Sequence, residues 1–177
     1  MNLEFKRFAL HYEGIVIKFP QHKFIKKELL SLIDNTKSEK FGSVSRTDWK
    51  SIEDDLRDRR YFDLFINQAT PLLRNVFYDF FKLDKQFNNP KIFFWFQQYS
   101  ESAYHPIHDH LNSDYSLVYF LDLPSKDSTV FYNQFYDTYQ TVEAEEGDII
   151  IFPSIHQHTS LPSNQKTVIA MNFRFFN

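Results

Sequence analysis

The chain has no cysteine, so neither a disulfide framework nor a thiolate metal site can be built from it. It has only three glycines, which leaves few positions free to turn in the left-handed sense. No apolar run is long enough to span a bilayer. The first 20 residues carry Glu4, Lys6, Arg7, Glu13 and Lys18 and resemble neither a signal peptide nor a membrane segment. The default expectation is a cytoplasmic protein with no membrane partner. A surplus of one charge is missing too: 20 Lys and Arg stand against 23 Asp and Glu, for a net −3. These charges are dispersed, so there is no basic patch of the kind that holds nucleic acid, and no nucleic-acid partner is expected.

What the chain does have is aromatic bulk, with 21 Phe and 10 Tyr among 177 residues. No repeat or low-complexity tract divides it, so residues 1–177 are expected to form a single domain. Residues 14–19 are β-branched and closed by Pro20, which reads as a strand. Phe24, Ile25, Leu29, Leu32 and Ile33 recur at helical spacing and predict an amphipathic helix ending near Asp34 and Asn35. Residues 36–52 are polar around Arg46, Thr47, Asp48 and Trp49 and read as a connecting loop, with a lid the functional alternative. Between 58 and 83 helical spacing returns, interrupted by Pro71, which either kinks one helix or opens a second with Thr70 as N-cap.

Past Asn88, Asn89 and Pro90 the pattern changes to short aromatic and β-branched runs at 91–99, 115–123, 129–135, 148–152 and 166–176. Turn residues separate them: Pro124 and Ser125, Glu146 and Gly147, Pro153 and Ser154, Pro162 to Asn164. The fold class expected is α+β, with a mainly helical support region over 1–90 packed on one sheet of a β-barrel core over 91–177. Gly147 sits where a tight hairpin requires it.

Five of the seven histidines fall in two short windows, His105, His108 and His110 in one, His156 and His158 in the other. Histidine is the commonest neutral metal ligand. On an extended strand residues i and i+2 share a face, so His108 and His110 can converge on one ion while Asp109 points away. His105 and His156 read as supporting or surface residues, and the isolated His11 and His22 carry no signal. In the last run, Ile169, Met171, Phe173 and Phe175 share one face; Lys166, Val168, Ala170, Asn172 and Arg174 share the other.

The order of five pieces resembles the Fe(II)/2-oxoglutarate-dependent dioxygenases, in particular their small prolyl-4-hydroxylase-like branch. The pieces are Trp95 with Tyr99; His108 with His110; Ser116 to Leu121; Gly147 to Ser154 followed by His158; and Lys166 followed by Ala170, Met171, Asn172 and Phe173. Together they cover about residues 91–175. The resemblance implies a double-stranded β-helix, the jelly-roll or cupin-like barrel, with His108, His110 and His158 as both iron ligands and catalytic centre. It implies Fe(II), 2-oxoglutarate and O2 as cofactor and cosubstrates, and hydroxylation of an unactivated C–H bond on a peptidyl, prolyl-like, or small-molecule substrate, with release of succinate and CO2.

His110 stands where the family more often has Asp, and Lys166 where it usually has Arg, so the cosubstrate's far carboxylate would meet a point charge instead of a bidentate fork. Arg174 is the fallback anchor, but eight residues of strand, roughly 26 Å, separate it from Lys166, so only one can serve. Tyr99, Tyr119 and Asn172 are the remaining cosubstrate-side candidates. Two other readings stay open. One is a cupin-like metalloenzyme that uses three histidines without 2-oxoglutarate, although a cupin's Glu is missing and only Asp114 is near. The other is a non-catalytic binding barrel.

Overall fold

Runs of β-branched and aromatic residues suit a pleated, half-buried surface, and here they make a sheet of ten strands. The computed structural model describes residues 5–9, 13–49, 59–83, 90–124, 126–134 and 136–175. The features expected at His11, 50–52, 58, 88–89, Ser125, Phe135 and Phe176 lie outside the described residues. In chain order the elements are β1 (Phe5–Ala9), β2 (Glu13–Lys18), α1 (His22–Asn35), β3 (Glu39–Phe41), β4 (Val44–Thr47) and α2 (Arg60–Arg74), which passes into a π-helical stretch, Asn75–Phe80. Then come β5 (Lys91–His108), β6 (Tyr115–Asp122), β7 (Asp127–Asn133), β8 (Thr138–Ala144), β9 (Asp148–Pro153) and β10 (Gln157–Arg174). No helix among the described residues is long and apolar enough to cross a membrane.

The strands run in the order β1-β2-β9-β6-β10-β5-β4-β3, with β7 on β10 and β8 on β7, and every pairing is antiparallel. Because side chains alternate across a strand, the central strands serve two cores. Leu117, Tyr119, Leu121, Ile149, Ile151, Ile169, Met171 and Phe173 pack outward against Leu29, Phe65 and Phe77 of the helical layer. Phe120, Ile150, Phe152 and Val168 point the other way and pack with Tyr99 and Phe131. Each fully buried Ile, Leu or Phe contributes roughly 1.5–3 kcal/mol, so packing on the helical layer anchors the central strands and leaves their far face for a site.

Two expectations need correction, and the choice left open at Pro71 falls to the single helix. Residues 39–47 are a hairpin, β3–β4, added to the sheet beside β5. In it Arg46 donates to the carbonyls of Ile33 and Thr36 at 2.9 Å each, which ties the hairpin to the end of α1. Pro71 does not open a second helix: α2 runs through it, and the Thr70 hydroxyl donates back to the Ile66 carbonyl at 2.6 Å instead of capping. Strands β1 and β8 add to the runs the sequence marked.

Candidate metal centre

The candidate metal centre is assembled across one ladder. His158, near the start of β10, pairs directly with His108, the last residue of β5. His110 lies two residues beyond the end of β5, so strand alternation does not place it. Its backbone N–H instead donates to the Ser154 carbonyl at 3.0 Å, and its own carbonyl accepts from Ser113 at 2.9 Å. The candidate ligand nitrogens of His108, His110 and His158 lie within 4.8 Å of one another, and the ring centroids are 4.2 to 5.3 Å apart.

Two of the three rings are oriented by backbone. His108 Nδ1 faces the Pro106 carbonyl at 2.8 Å and His158 Nδ1 faces the His156 carbonyl at 2.9 Å. A carbonyl only accepts, so both Nδ1 atoms carry the proton and both Nε2 lone pairs are left for an ion. Burial lowers the pKa of all three: His158 is pushed well below its ordinary value by burial and by the neighbouring His108 and His110, and His110 is pulled down to about 3 by burial and the neighbouring His108. For His108 burial outweighs the Pro106 hydrogen bond. The cluster is therefore neutral at physiological pH, the state in which imidazole ligates.

The same cavity holds Lys166, 2% exposed. Its ammonium donates to the Ser160 hydroxyl and lies 4.3 Å from the centre of the Tyr99 ring. Tyr99 and Lys166 are partners in the β5–β10 ladder, which is why the two meet. Asn172 lines the cavity as well, its carbonyl oxygen accepting from Ser116 Oγ at 2.8 Å. Trp95 borders it beside His110, with ring centroids 5.7 Å apart.

No family model matches the sequence, and no curated protein does. Solved structures do match. An oxidoreductase of the 2OG-Fe(II) oxygenase family from Burkholderia pseudomallei superposes with a TM-score of 0.69 at 12% identity, over 93% of this chain and 85% of that one. A Pseudomonas putida prolyl-4-hydroxylase gives 0.64 at 14%, over 91% of both chains. The chain has the fold of the 2OG-Fe(II) oxygenases. A Trichoplax adhaerens prolyl hydroxylase, solved in complex with a hypoxia inducible factor oxygen degradation domain peptide fragment, gives 0.61 at 11% identity, over 91% of this chain and 83% of that one.

In this oxygenase-like fold most of the residues singled out by sequence meet in one cavity: His108, His110, His158, Lys166, Tyr99 and Asn172. Two do not. Tyr119 shares strand parity with Leu117 and Leu121, so it faces the helices, where its hydroxyl sits 2.7 Å from His22 Nδ1. Arg174 ends β10 with its side chain exposed and does not line the cavity. Sequence reasoning undervalued His22, which is buried on the helical side between Tyr119 and Glu146. His105 lines the cavity, its ring 3.9 Å from that of His108, and burial, then the charges of His108, His110 and Lys166, pulls it down to about 3. Its reading as a supporting residue agrees with this place, although strand alternation alone would set it on the face opposite His108.

The donor set fits a divalent ion with an oxygen-rich anion beside it. Three neutral imidazoles supply nitrogen ligands, and a buried ammonium is stabilised by an anionic ligand. The buried Trp95 indole N–H has no hydrogen-bond partner among the described residues, which leaves a donor on a residue that lines the cavity. Asp114, the nearest counterpart of a cupin Glu, is used elsewhere: its carboxylate accepts the Phe175 N–H at 2.7 Å.

Proposed function

We propose that this single-domain protein is an Fe(II)- and 2-oxoglutarate-dependent dioxygenase built on a double-stranded β-helix, hydroxylating an unactivated C–H bond of a peptidyl or small-molecule substrate. The observation that carries the reading is the buried Lys166 in the same cavity as the three histidines. A metal-only site has no use for a second cation, whereas a dicarboxylic cosubstrate needs one at its far end. Iron with 2-oxoglutarate and O2 supplies the oxidant for C–H hydroxylation, releasing succinate and CO2.

The protein's own share is positioning. His108, His110 and His158 hold the metal, with Nε2 of His108 and His158 aimed by the Pro106 and His156 carbonyls. Lys166 holds the far carboxylate by charge, and Ser160 and the Tyr99 ring keep its ammonium in place. Phe131 and Phe152 pack against His158, with centroids 6.1 and 4.7 Å away, and exclude water from that side of the cluster. The Trichoplax enzyme's peptide complex supports a peptidyl substrate.

The test is anaerobic addition of Fe(II) and then 2-oxoglutarate, watching for the visible charge-transfer band of an iron-chelated 2-oxo acid. The band is expected in the native protein, absent in His158→Ala and weakened in Lys166→Ala. Stoichiometric metal binding without a band would refute the cosubstrate and favour the cupin-like three-histidine reading.

A further inference from the structure

We propose that His105 is a fourth working histidine of this cavity, a neutral imidazole that presents its Nε2–H to an oxygen of 2-oxoglutarate held between the three-histidine cluster and Lys166. The inference rests on the function proposed above. What it adds is a donor that the metal-binding pattern does not call for and that differs in kind from its neighbours.

The argument follows a chain of three side chains. Gln97 Oε1 accepts from the Tyr99 hydroxyl at 2.8 Å, and the amide in this orientation turns its nitrogen the other way. That nitrogen lies 3.2 Å from His105 Nδ1. An amide NH2 only donates, so Nδ1 must accept, and a ring whose Nδ1 accepts is neutral with its proton on Nε2. His108 and His158 have the opposite arrangement, Nδ1–H bound to a carbonyl and Nε2 bare. The cavity thus holds histidines of two kinds. His108 and His158 offer lone pairs to a metal; His105 offers a proton and in this tautomer cannot ligate through Nε2.

The backbone holds His105 where such a donor is useful. Its carbonyl accepts from the Thr159 hydroxyl at 2.6 Å, and it pairs with Ser160, the same residue that accepts from Lys166. Its ring lies against His108 on one side while Gln97 takes Nδ1. Among the described residues Nε2 has no protein partner, although it belongs to a residue lining the cavity. An anion reaching from the histidine cluster to Lys166 passes this donor, and a hydrogen bond to an ionised oxygen is among the stronger ones a side chain can make.

The experiment uses the full chain loaded with Zn(II), which is redox-inert and diamagnetic. A two-bond proton–nitrogen correlation spectrum of the histidine-labelled protein reads each ring's tautomer, and calorimetric titration with 2-oxoglutarate reads affinity. His105 is expected as the Nε2–H tautomer, with His108 and His158 protonated at Nδ1. His105→Phe, which keeps a ring against His108 but has no donor, is expected to weaken 2-oxoglutarate about ten-fold or more with Zn(II) affinity changed by less than about two-fold, and His105→Gln, which keeps an N–H, to recover part of the loss. An Nδ1–H tautomer at His105 in the native protein overturns the proposal without any variant having to fold. Equal 2-oxoglutarate affinity in native protein and His105→Phe overturns it while leaving the dioxygenase reading intact. No 2-oxoglutarate binding by the native Zn(II) protein overturns both.

Discussion

The contact between Gly147 and His22 predicts a specific energetic asymmetry between two of the chain's glycines. Both Gly42 and Gly147 have positive φ, +55° and +85°. An alanine at either site meets a left-handed backbone cost of about 1–2 kcal/mol, offset by about 0.4–1 kcal/mol from the stiffer unfolded chain. At Gly42 nothing lies within 4 Å of the added Cβ, so Gly42→Ala is expected to cost about 1 kcal/mol or less. At Gly147 the Cβ would lie 2.9 Å from His22 Cγ and 3.1 Å from Cδ2, closer than carbon atoms pack. The His22 ring cannot step aside freely, because it is tied to the Tyr119 hydroxyl at 2.7 Å and to Glu146 at 3.1 Å. Overpacking of about 1–3 kcal/mol and a strained hydrogen bond worth about 1 kcal/mol then add to the backbone cost. Gly147→Ala is expected to lose about 2–5 kcal/mol by equilibrium urea unfolding, with an unchanged m-value. In a double-mutant cycle with His22→Ala the steric part should disappear. Equal destabilisation by Gly42→Ala and Gly147→Ala would refute the argument, since it would leave only the backbone cost.

Tyr119→Phe should lower stability by about 1–2 kcal/mol, by orphaning His22 Nδ1, and leave 2-oxoglutarate affinity unchanged; Arg174→Ala should leave that affinity unchanged too, both measured by calorimetry. Alanine at His108, His110 or His158 should cost more Zn(II) affinity than the roughly 10–100-fold expected from losing a supporting partner, whereas His156→Ala, which keeps the carbonyl that orients His158, should cost little. Burial alone would raise the Glu146 carboxyl, but hydrogen bonds from Lys26, the Leu123 N–H and His22, with the Lys26 charge, hold it down at about 2 against an ordinary 4.5. Its contribution to stability is therefore complete above the ordinary value and is lost as pH falls through about 2, so urea midpoints of native protein and Glu146→Gln should differ near neutrality and converge in acid. His110→Asp should tighten Zn(II) and weaken 2-oxoglutarate, because the added negative charge attracts the cation and repels the dianion; shifts of the same sign in both titrations would refute that electrostatic reading.

How much of this was legible depended on whether the signal was local. The two faces of β10 followed from alternation alone, and Ile169, Met171 and Phe173 do pack on helices while Lys166, Val168, Ala170 and Asn172 line the cavity. Gly147 was marked by its place before an apolar strand. Tyr119 was misplaced because a motif position does not say which way a strand faces; its neighbours Leu117 and Leu121 say it only once β6 is known to lie under the helices. His22 and Tyr119 are 97 residues apart, and nothing local announces a contact of that kind. Strand β8 was missed because it pairs only with β7, so most of its residues are exposed and only Val142 and Ala144 are buried, too short an alternation to mark a strand. The 39–47 hairpin escaped for a related reason: Glu39 and Lys40 look like loop residues, and the strand exists because Arg46 anchors it to the end of α1 and to Gln98.

The separation of His158 from Lys166 shows how the fold makes a site that strand arithmetic forbids. They are eight positions apart, as Lys166 and Arg174 are, and a straight strand would hold each pair roughly 26 Å apart. Yet His158 and Lys166 border one cavity and Arg174 does not. The difference lies in where β10 is regular. From Lys166 to Arg174 it pairs residue for residue with β5, whereas from His158 to Gln165 the register shifts three times. Opposite that segment β5 carries two successive residues of positive φ, Glu101 at 53° and Ser102 at 60°. The Ser102 N–H and hydroxyl both donate to Asn164 Oδ1 across the bend. Bulges bend strands and increase their twist, so two long paired strands turn together at this corner. The strained Glu101–Ser102 pair and the stretch from Ser160 to Gln165, whose Pro162, Ser163 and Asn164 read as turn residues, are what bring His158 and Lys166 to one cavity.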